Sequence, residues 1–243
     1  YYALSHGVLA FSSTARSLRR AGFGDGLSAP ALASTLEFGF VPDSQCIYEG
    51  ISKLLPGCGL KWSKAPGRAI RVETFEYWRQ PSASPVRVDF EEAVQATEKL
   101  LLQAVARRLQ ADVPVAALLS GGIDSALVCW AIKALGASVQ AFTVGTPGLL
   151  EDESDAAAAT AAILGIPHRI LPIDAAGAPS VTDLAAAYGE PFPCSSAFGM
   201  LKISAAVCRE AKVMLTGDGG DDVFLGYEGH RLFRIAERIG KLI

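Results

Sequence analysis

Histidine, methionine and tryptophan are scarce in this 243-residue chain, at 3, 2 and 3 copies, and several common patterns are missing altogether. No block of Lys and Arg forms a basic patch, and the formal net charge is -3. That balance argues against a nucleic-acid binder or a partner of anionic membranes. The most basic stretch, Arg16 to Arg20, reads as a solvated helix face. The five cysteines (Cys46, Cys58, Cys129, Cys194 and Cys208) show neither a CxxC nor a Cys/His spacing. An odd, unpatterned set predicts reduced thiols, not disulfides or zinc. No run approaches the roughly 20 apolar residues that cross a bilayer, and no charged-then-apolar leader opens the chain. A soluble, cytoplasmic protein is expected. Tyr1-Tyr2-Ala3-Leu4 begins without Met or a turn signal, like a strand entered partway, so a fragment of a longer chain is expected too.

Half of the residues are apolar, enough for one large domain or one and a half ordinary ones. Residues 1–80 read as short strands and turns. Val8-Leu9-Ala10-Phe11 is strand-like, Ser28-Ala29-Pro30 is a helix start with Pro in the first turn, and residues 70–75 form another strand. Leu54-Leu55-Pro56-Gly57-Cys58-Gly59-Leu60 sets a Pro-Gly turn between apolar runs. The Pro- and Ser-rich residues 81–87 predict a linker. Beyond it, residues 88–243 alternate strands with helices. A long helix opens at Asp89, and strands cover residues 115–119, 139–145, 169–173 and 212–216. Such alternation implies an α/β fold, a parallel sheet with helices on both faces.

Two segments carry chemistry. Ser120-Gly121-Gly122-Ile123-Asp124-Ser125 lies between a buried strand and a helix N-terminus, where unpaired amides and the helix dipole attract anions. Its glycines let the backbone approach a phosphate, and Ser120 and Ser125 add hydroxyls. No Lys follows, so it is not a Walker A loop. Asp124 beside polyphosphate makes sense with a divalent cation between them, and Mg²⁺ suits carboxylate and phosphate oxygens. Taken alone, the segment could instead be a helix cap on a tight turn. Thr216-Gly217-Asp218-Gly219-Gly220-Asp221-Asp222 follows another strand and holds three carboxylates and three glycines in seven residues. In an open α/β sheet ligands bind beyond the carboxyl ends of the strands, so both loops can face one ligand.

SGGIDS resembles the pyrophosphate loop of the N-type ATP-pyrophosphatases. Residues 216–227, with Glu190-Pro191-Phe192, Ser195-Ser196-Ala197 and Phe142-Thr143-Val144-Gly145, make the chain most similar to the synthetase part of glutamine-dependent asparagine synthetases. Residues 1–80 resemble the tail of a class II glutamine amidotransferase domain through Phe38-Gly39-Phe40-Val41-Pro42, Ile47-Tyr48-Glu49-Gly50-Ile51 and Lys53-Leu54-Leu55-Pro56-Gly57. The resemblance implies that Ser120, Gly121, Gly122, Asp124 and Ser125 hold pyrophosphate and that Asp124 and Asp221 hold Mg²⁺. It sets Leu118 and Val144 beside adenine, and Gly217 and Asp218 near the ribose and α-phosphate. The implied reaction adenylates a carboxylate, in the namesake aspartate, with ATP, and ammonia from glutamine then displaces AMP. Asp124 and Asp221 are the expected catalytic carboxylates, the partners are small molecules, and a homodimer is compatible.

Asp222 stands where Glu is usual, Cys194 where the position is often acidic, Leu225 at a frequent Gly, and Cys58 after Pro56-Gly57 where His is usual. The family's nucleophilic Cys and glutamine-binding residues would lie upstream, and its catalytic Lys beyond Ile243. Other readings are a related adenylating cyclase with a different acceptor, as in β-lactam synthetases and lasso-peptide cyclases, and a nucleotide-binding module without catalysis. A tRNA-thiolating relative would call for a basic surface and reactive cysteines. His168 reads as a structural residue at a strand start, the alanines from Ala156 to Ala162 as a packing face, and Trp62, Trp78 and Trp130 as core or interface residues.

Overall fold

A computed structural model of the chain describes every residue except 66, 68, 82–86, 149–151, 173–178, 193, 195 and 241–243. Most of the expected linker, together with Ser195, therefore lies outside the described residues. The chain forms two compact units, Tyr1–Val86 with Pro179–Leu201, and Arg87–Ala178 with Lys202–Ile243. Among the described residues no helix is long and apolar enough to cross a membrane.

In the first unit, β1 (Tyr2–Ser5) and β2 (Val8–Phe11) pair antiparallel. Their two-residue turn, His6-Gly7, has φ of 51° and 72°, which matches the right-handed twist of the flanking strands. Thr14 caps α1 (Ala15–Arg20), and Ser28 caps α2 (Ala29–Phe38) through the Ala31 amide. β3 (Cys58–Ser63) and β4 (Arg71–Glu76) form a second antiparallel pair. Leu54 and Leu55 lie outside any strand, because the Pro56-Gly57 turn leads directly into β3. The arginines of α1 are more than a solvated face. Arg16 donates to the Ala186 carbonyl, and Arg19 donates to the Gly24 carbonyl and stacks over Tyr48. Trp62 and Trp78 are exposed rather than buried in a core.

Within the expected segment 88–243, Pro179–Leu201 packs with the first unit. The reason is a buried carboxylate. α6 (Val181–Tyr188) opens with a capping box from Ser180 and Asp183 and ends at Gly189, delivering Glu190. Glu190 Oε2 accepts from the Tyr1 hydroxyl at 2.6 Å and lies 2.9 Å from Lys53 Nζ, while Oε1 accepts from the Ile47 amide at 2.8 Å. These contacts reach across more than a hundred positions of sequence, so nothing local announces them.

In the second unit β5 (Val115–Leu118), β6 (Gln140–Gly145), β7 (His168–Pro172) and β8 (Val213–Leu215) form a parallel sheet in the order β7-β6-β5-β8. Asp89 caps α3 (Phe90–Arg108) by accepting from the Glu92 amide at 2.7 Å. α4 (Ile123–Ala134) and α5 (Ser154–Leu164) follow β5 and β6. Consecutive strand residues point to opposite faces, and Ala116 and Ala117 are both fully buried, as are Ala141 and Phe142. Both faces are therefore covered. On one, Ala117, Leu119 and Ala141 join Val105, Cys129, Ile132, Ala157 and Ala161 in one core, so the alanine run of α5 does pack. Burial there pushes the Cys129 thiol up to about 11. On the other, Arg169 stacks over Phe142 and pairs with Glu210, just beyond α7 (Ser196–Val207), whose Ile203 and Val207 are buried. A short helix, α8 (Gly220–Phe224), and a longer one, α9 (Glu228–Gly240), close the described chain.

Burial raises the Glu190 carboxyl, but its bonds to Tyr1, Ile47 and Lys53 together hold it below the usual carboxylate value. Its folded pKa is depressed, so its stabilisation is complete above the unfolded pKa of about 4.3 and fades as pH falls through the folded value. Burial and the Glu190 contact raise the Tyr1 hydroxyl, and that contribution is full below about pH 10 and is lost above it. Glu190→Ala should lower unfolding stability by about 2 kcal/mol near neutrality, less than for a wholly buried pair because Lys53 keeps partial exposure. Urea melts from pH 3 to 8 should show the gap between wild type and E190A closing below about pH 4.

Candidate active site

The chain leaves β5 through Leu119, Ser120, Gly121 and Gly122 and enters α4 at Ile123, so the amides at the start of α4 point out beyond the sheet's carboxyl edge. The loop is braced from inside. Ser125 is 6% exposed, and its Oγ accepts from the Ser120 amide at 3.0 Å and lies 2.8 Å from Ser120 Oγ. Ser125 Oγ also donates to the Gly122 carbonyl at 3.1 Å, and the Gly122 amide donates to Ser120 Oγ at 3.2 Å. The two serine hydroxyls thus shape the loop around its outward amides. Gly122 caps α4 without a side chain, leaving space where an anion's oxygens can sit.

β8 pairs with β5, Ala117 opposite Leu215, so the segment from Thr216 emerges beside the first loop. The fit is close. A Cβ on Gly217 would come within 2.6 Å of the Ser125 amide nitrogen, and one on Gly220 would overlap the Asp124 carboxylate. Asp124 therefore lies under the second loop, half buried and with no ion pair among the described residues. Asp218 is exposed, with Oδ2 accepting from Thr216 Oγ1 at 2.8 Å, and Asp221 stands in the first turn of α8. Leu118 and Val144 share the sheet face of Phe142, at the carboxyl ends of adjacent strands, and both are half buried. A planar ring could rest there. A cavity of about 390 Å³ borders the seam and is lined by Asp124, Thr216, Gly217, Gly220, Leu101 and Phe224, but not by Ser120, Gly121 or Gly122. The volume and the anion cradle are thus adjacent rather than coincident.

Among the described residues, no group of three or more His, Cys, Asp or Glu side chains is arranged to hold a metal alone. Mg²⁺ commonly takes one or two carboxylates and completes its shell with phosphate oxygens and water. Asp124 and Asp221 would be its protein ligands. His168, at the start of β7, has Nε2 2.7 Å from Thr143 Oγ1, and Thr143 Oγ1 donates to the Leu119 carbonyl at 2.6 Å. Burial lowers the His168 pKa. This histidine braces the strand ends behind the loop.

The asparagine synthase family model matches residues 96–242. The chain belongs to the asparagine synthase family. Curated relatives include amidase chyE of Penicillium rubens, 31% identical over 87% of this chain and 36% of that protein. Amidase chry2 of Gibberella zeae shares the same figures. Asparagine synthetase 1 of Bacillus subtilis is 26% identical over 95% of this chain and 36% of its own. The chain spans a little over a third of the length of these relatives. Among solved structures, the U34-tRNA thiolase NcsA of Methanococcus maripaludis aligns at 23% identity and TM-score 0.40, covering 55% of this chain and 48% of that one. The NH₃-dependent NAD synthetase of Campylobacter jejuni aligns at 20% and 0.36, covering 58% and 61%.

One participant in this family site had no signal in its motifs. Glu153, 32 positions beyond the loop, accepts from the Gly121 amide through Oε2 at 3.0 Å. A Glu at a helix N-cap, where Ser, Thr, Asp or Asn is usual, is the one local oddity that marks it.

Because the Gly217 seam meets backbone, Gly217→Ala should force the two loops apart. About 2 kcal/mol of stability should be lost in urea melts, with nucleotide affinity reduced at least tenfold in calorimetric titration. Gly229→Ala, a helical position that meets nothing within 4 Å, is the control and should leave nucleotide affinity unchanged while raising stability by up to about 1 kcal/mol.

Proposed function

We propose that the chain is the adenylating part of an ATP-dependent, amide-forming ligase that activates a carboxylate with release of pyrophosphate. The observation that carries this reading is the meeting of the two loops on Asp124, which sets an anion cradle, a half-buried carboxylate and an acidic turn at one sheet edge. Family membership supports it. On this reading residues 1–80 are the tail of a glutamine amidotransferase domain, residues 81–87 a linker, and the remainder the synthetase domain, working in the cytoplasm on small molecules.

The chain's own residues divide the work. Leu118 and Val144 would hold the adenine, and Gly217 and Asp218 the ribose and α-phosphate. The amide of Gly121, with the N-terminus of α4, would take the β- and γ-phosphates. The acceptor carboxylate oxygen attacks the α-phosphorus, and the bond to the β-phosphate oxygen breaks, so pyrophosphate leaves into donors already pointing at it. Ammonia, supplied from glutamine, then attacks the acyl carbon and AMP departs. Mg²⁺, held by Asp124 and Asp221, would offset the charge gathering on the leaving pyrophosphate.

Aspartate is the first acceptor to test. A different carboxylate acceptor is the second reading, favoured by Cys194 at a position often acidic in the family and by the two similar proteins named amidases. Full-length protein with Mg²⁺, ATP, aspartate and ammonium should yield AMP and pyrophosphate. Asp124→Asn should cut that rate at least 100-fold, in line with the loss of a main electrostatic contributor. Formation of ADP and phosphate instead would overturn the adenylation mechanism. AMP formed only with another carboxylate would replace aspartate and keep the mechanism.

A further inference from the structure

The start of α5 is built in an unusual way. Its N-cap residue, Glu153, makes no capping bond to the helix. The preceding residue closes the turn instead. Asp152 Oδ1 accepts from the Ser154 amide at 3.1 Å, from Ser154 Oγ at 2.5 Å and from the Thr146 amide at 3.3 Å. Those bonds, the Ser154 hydroxyl foremost, hold the Asp152 carboxyl below its usual range. With the turn secured, the Glu153 side chain extends away from its own helix and reaches the Gly121 amide at 3.0 Å. The approach is a packed feature of the fold. A Cβ on Gly121 would lie 3.2 Å from Glu153 Cβ and 3.3 Å from Ala156 Cβ.

A carboxylate oxygen and a phosphate oxygen are equivalent partners for a backbone N–H: each is an anionic acceptor forming a charge-assisted hydrogen bond. Glu153 thus occupies an outward amide of the loop assigned above to the nucleotide phosphates. We propose that Glu153 is a resident competitor of pyrophosphate. It holds the Gly121 amide while the loop is empty, yields it to a phosphate oxygen when the nucleotide binds, and reclaims it as pyrophosphate leaves. The amide never has to be left without an acceptor, and the leaving group meets a rival already tethered within reach. This role rests on the functional reading above and adds to it a residue that governs release of the inorganic product.

The test is calorimetric titration of the full-length protein with Mg·pyrophosphate, in wild type, Glu153→Ala and Glu153→Gln, with thermal melts alongside. Removing the competitor should tighten pyrophosphate binding about fivefold in E153A, the ratio that corresponds to one net hydrogen bond. E153Q, which keeps an acceptor oxygen but loses the charge, should fall between E153A and wild type. Inhibition of AMP formation by added pyrophosphate should strengthen in the same order. A purely structural role for Glu153 would lower the melting temperature without tightening pyrophosphate, and a role as cation ligand would weaken binding. Either result overturns the proposal while leaving the nucleotide site in place. Should E153A fail to fold, the E153Q comparison decides. Absence of Mg·pyrophosphate binding in wild type and both variants removes the nucleotide-site reading itself, and the proposal with it.

Discussion

The pairing of β8 with β5 is the interaction on which the site depends. It aligns Ala116 with Met214 and Ala117 with Leu215, bringing the exits of two strands far apart in sequence to the same sheet edge. From there the backbone of Gly217 can lie over the Ser125 amide and Gly220 over the Asp124 carboxylate, at separations that a side chain on either glycine would forbid. Gly217 and Gly220 of the acidic turn then cover Asp124, while Asp218 and Asp222 stay exposed. The small buried residues Ala117 and Ala141 let helices approach closely on one face of the sheet, and Phe142, on the face of Ala116, fills the other.

The loop that faces the anion is rigid for local reasons. Ser120 and Ser125 bind each other and the backbone around them, so the donors are oriented before any ligand arrives, which is the condition for electrostatic stabilisation without reorganisation. Behind it, Thr143 ties the Leu119 carbonyl to His168. Burial keeps that imidazole towards the neutral form, which lets its Nε2–H donate to the Thr143 hydroxyl oxygen at no cost in buried charge. In front of it, Glu153 adds a negative group to an edge already carrying Asp124, Asp218, Asp221 and Asp222. On the function proposed above, such an edge calls for a cation to accompany the phosphates.

The first unit is organised by charges taken out of water. Glu190 is tolerated at 8% side-chain exposure because a lysine, a phenol and a backbone amide all donate to it, so neither oxygen is left without a partner. That requirement draws Pro179–Leu201 into the unit, although by sequence order it lies between strands of the parallel sheet. Arg16 and Arg19 of α1, which look like a charged surface, also reach backbone carbonyls and an aromatic face.

Local rules made much of this legible in advance. Ser28 and Asp89 cap the helices expected of them, every strand read from apolar runs after Asp89 appears within about two residues, and Asp124 and Gly217 could be named as neighbours because both follow strand ends. The sequence by itself determined the alternation of strands and helices, the helix starts and the glycines and carboxylates of the two loops, since each depends on residues within a few positions of the chain. Only the tertiary structure decided that Ser125 braces the loop from inside, that Glu190 belongs with Tyr1 and Lys53, and that Glu153 reaches Gly121. The first turns on a buried side-chain orientation within five positions, and the other two on single distances between residues dozens to nearly two hundred positions apart; no periodicity or propensity encodes either.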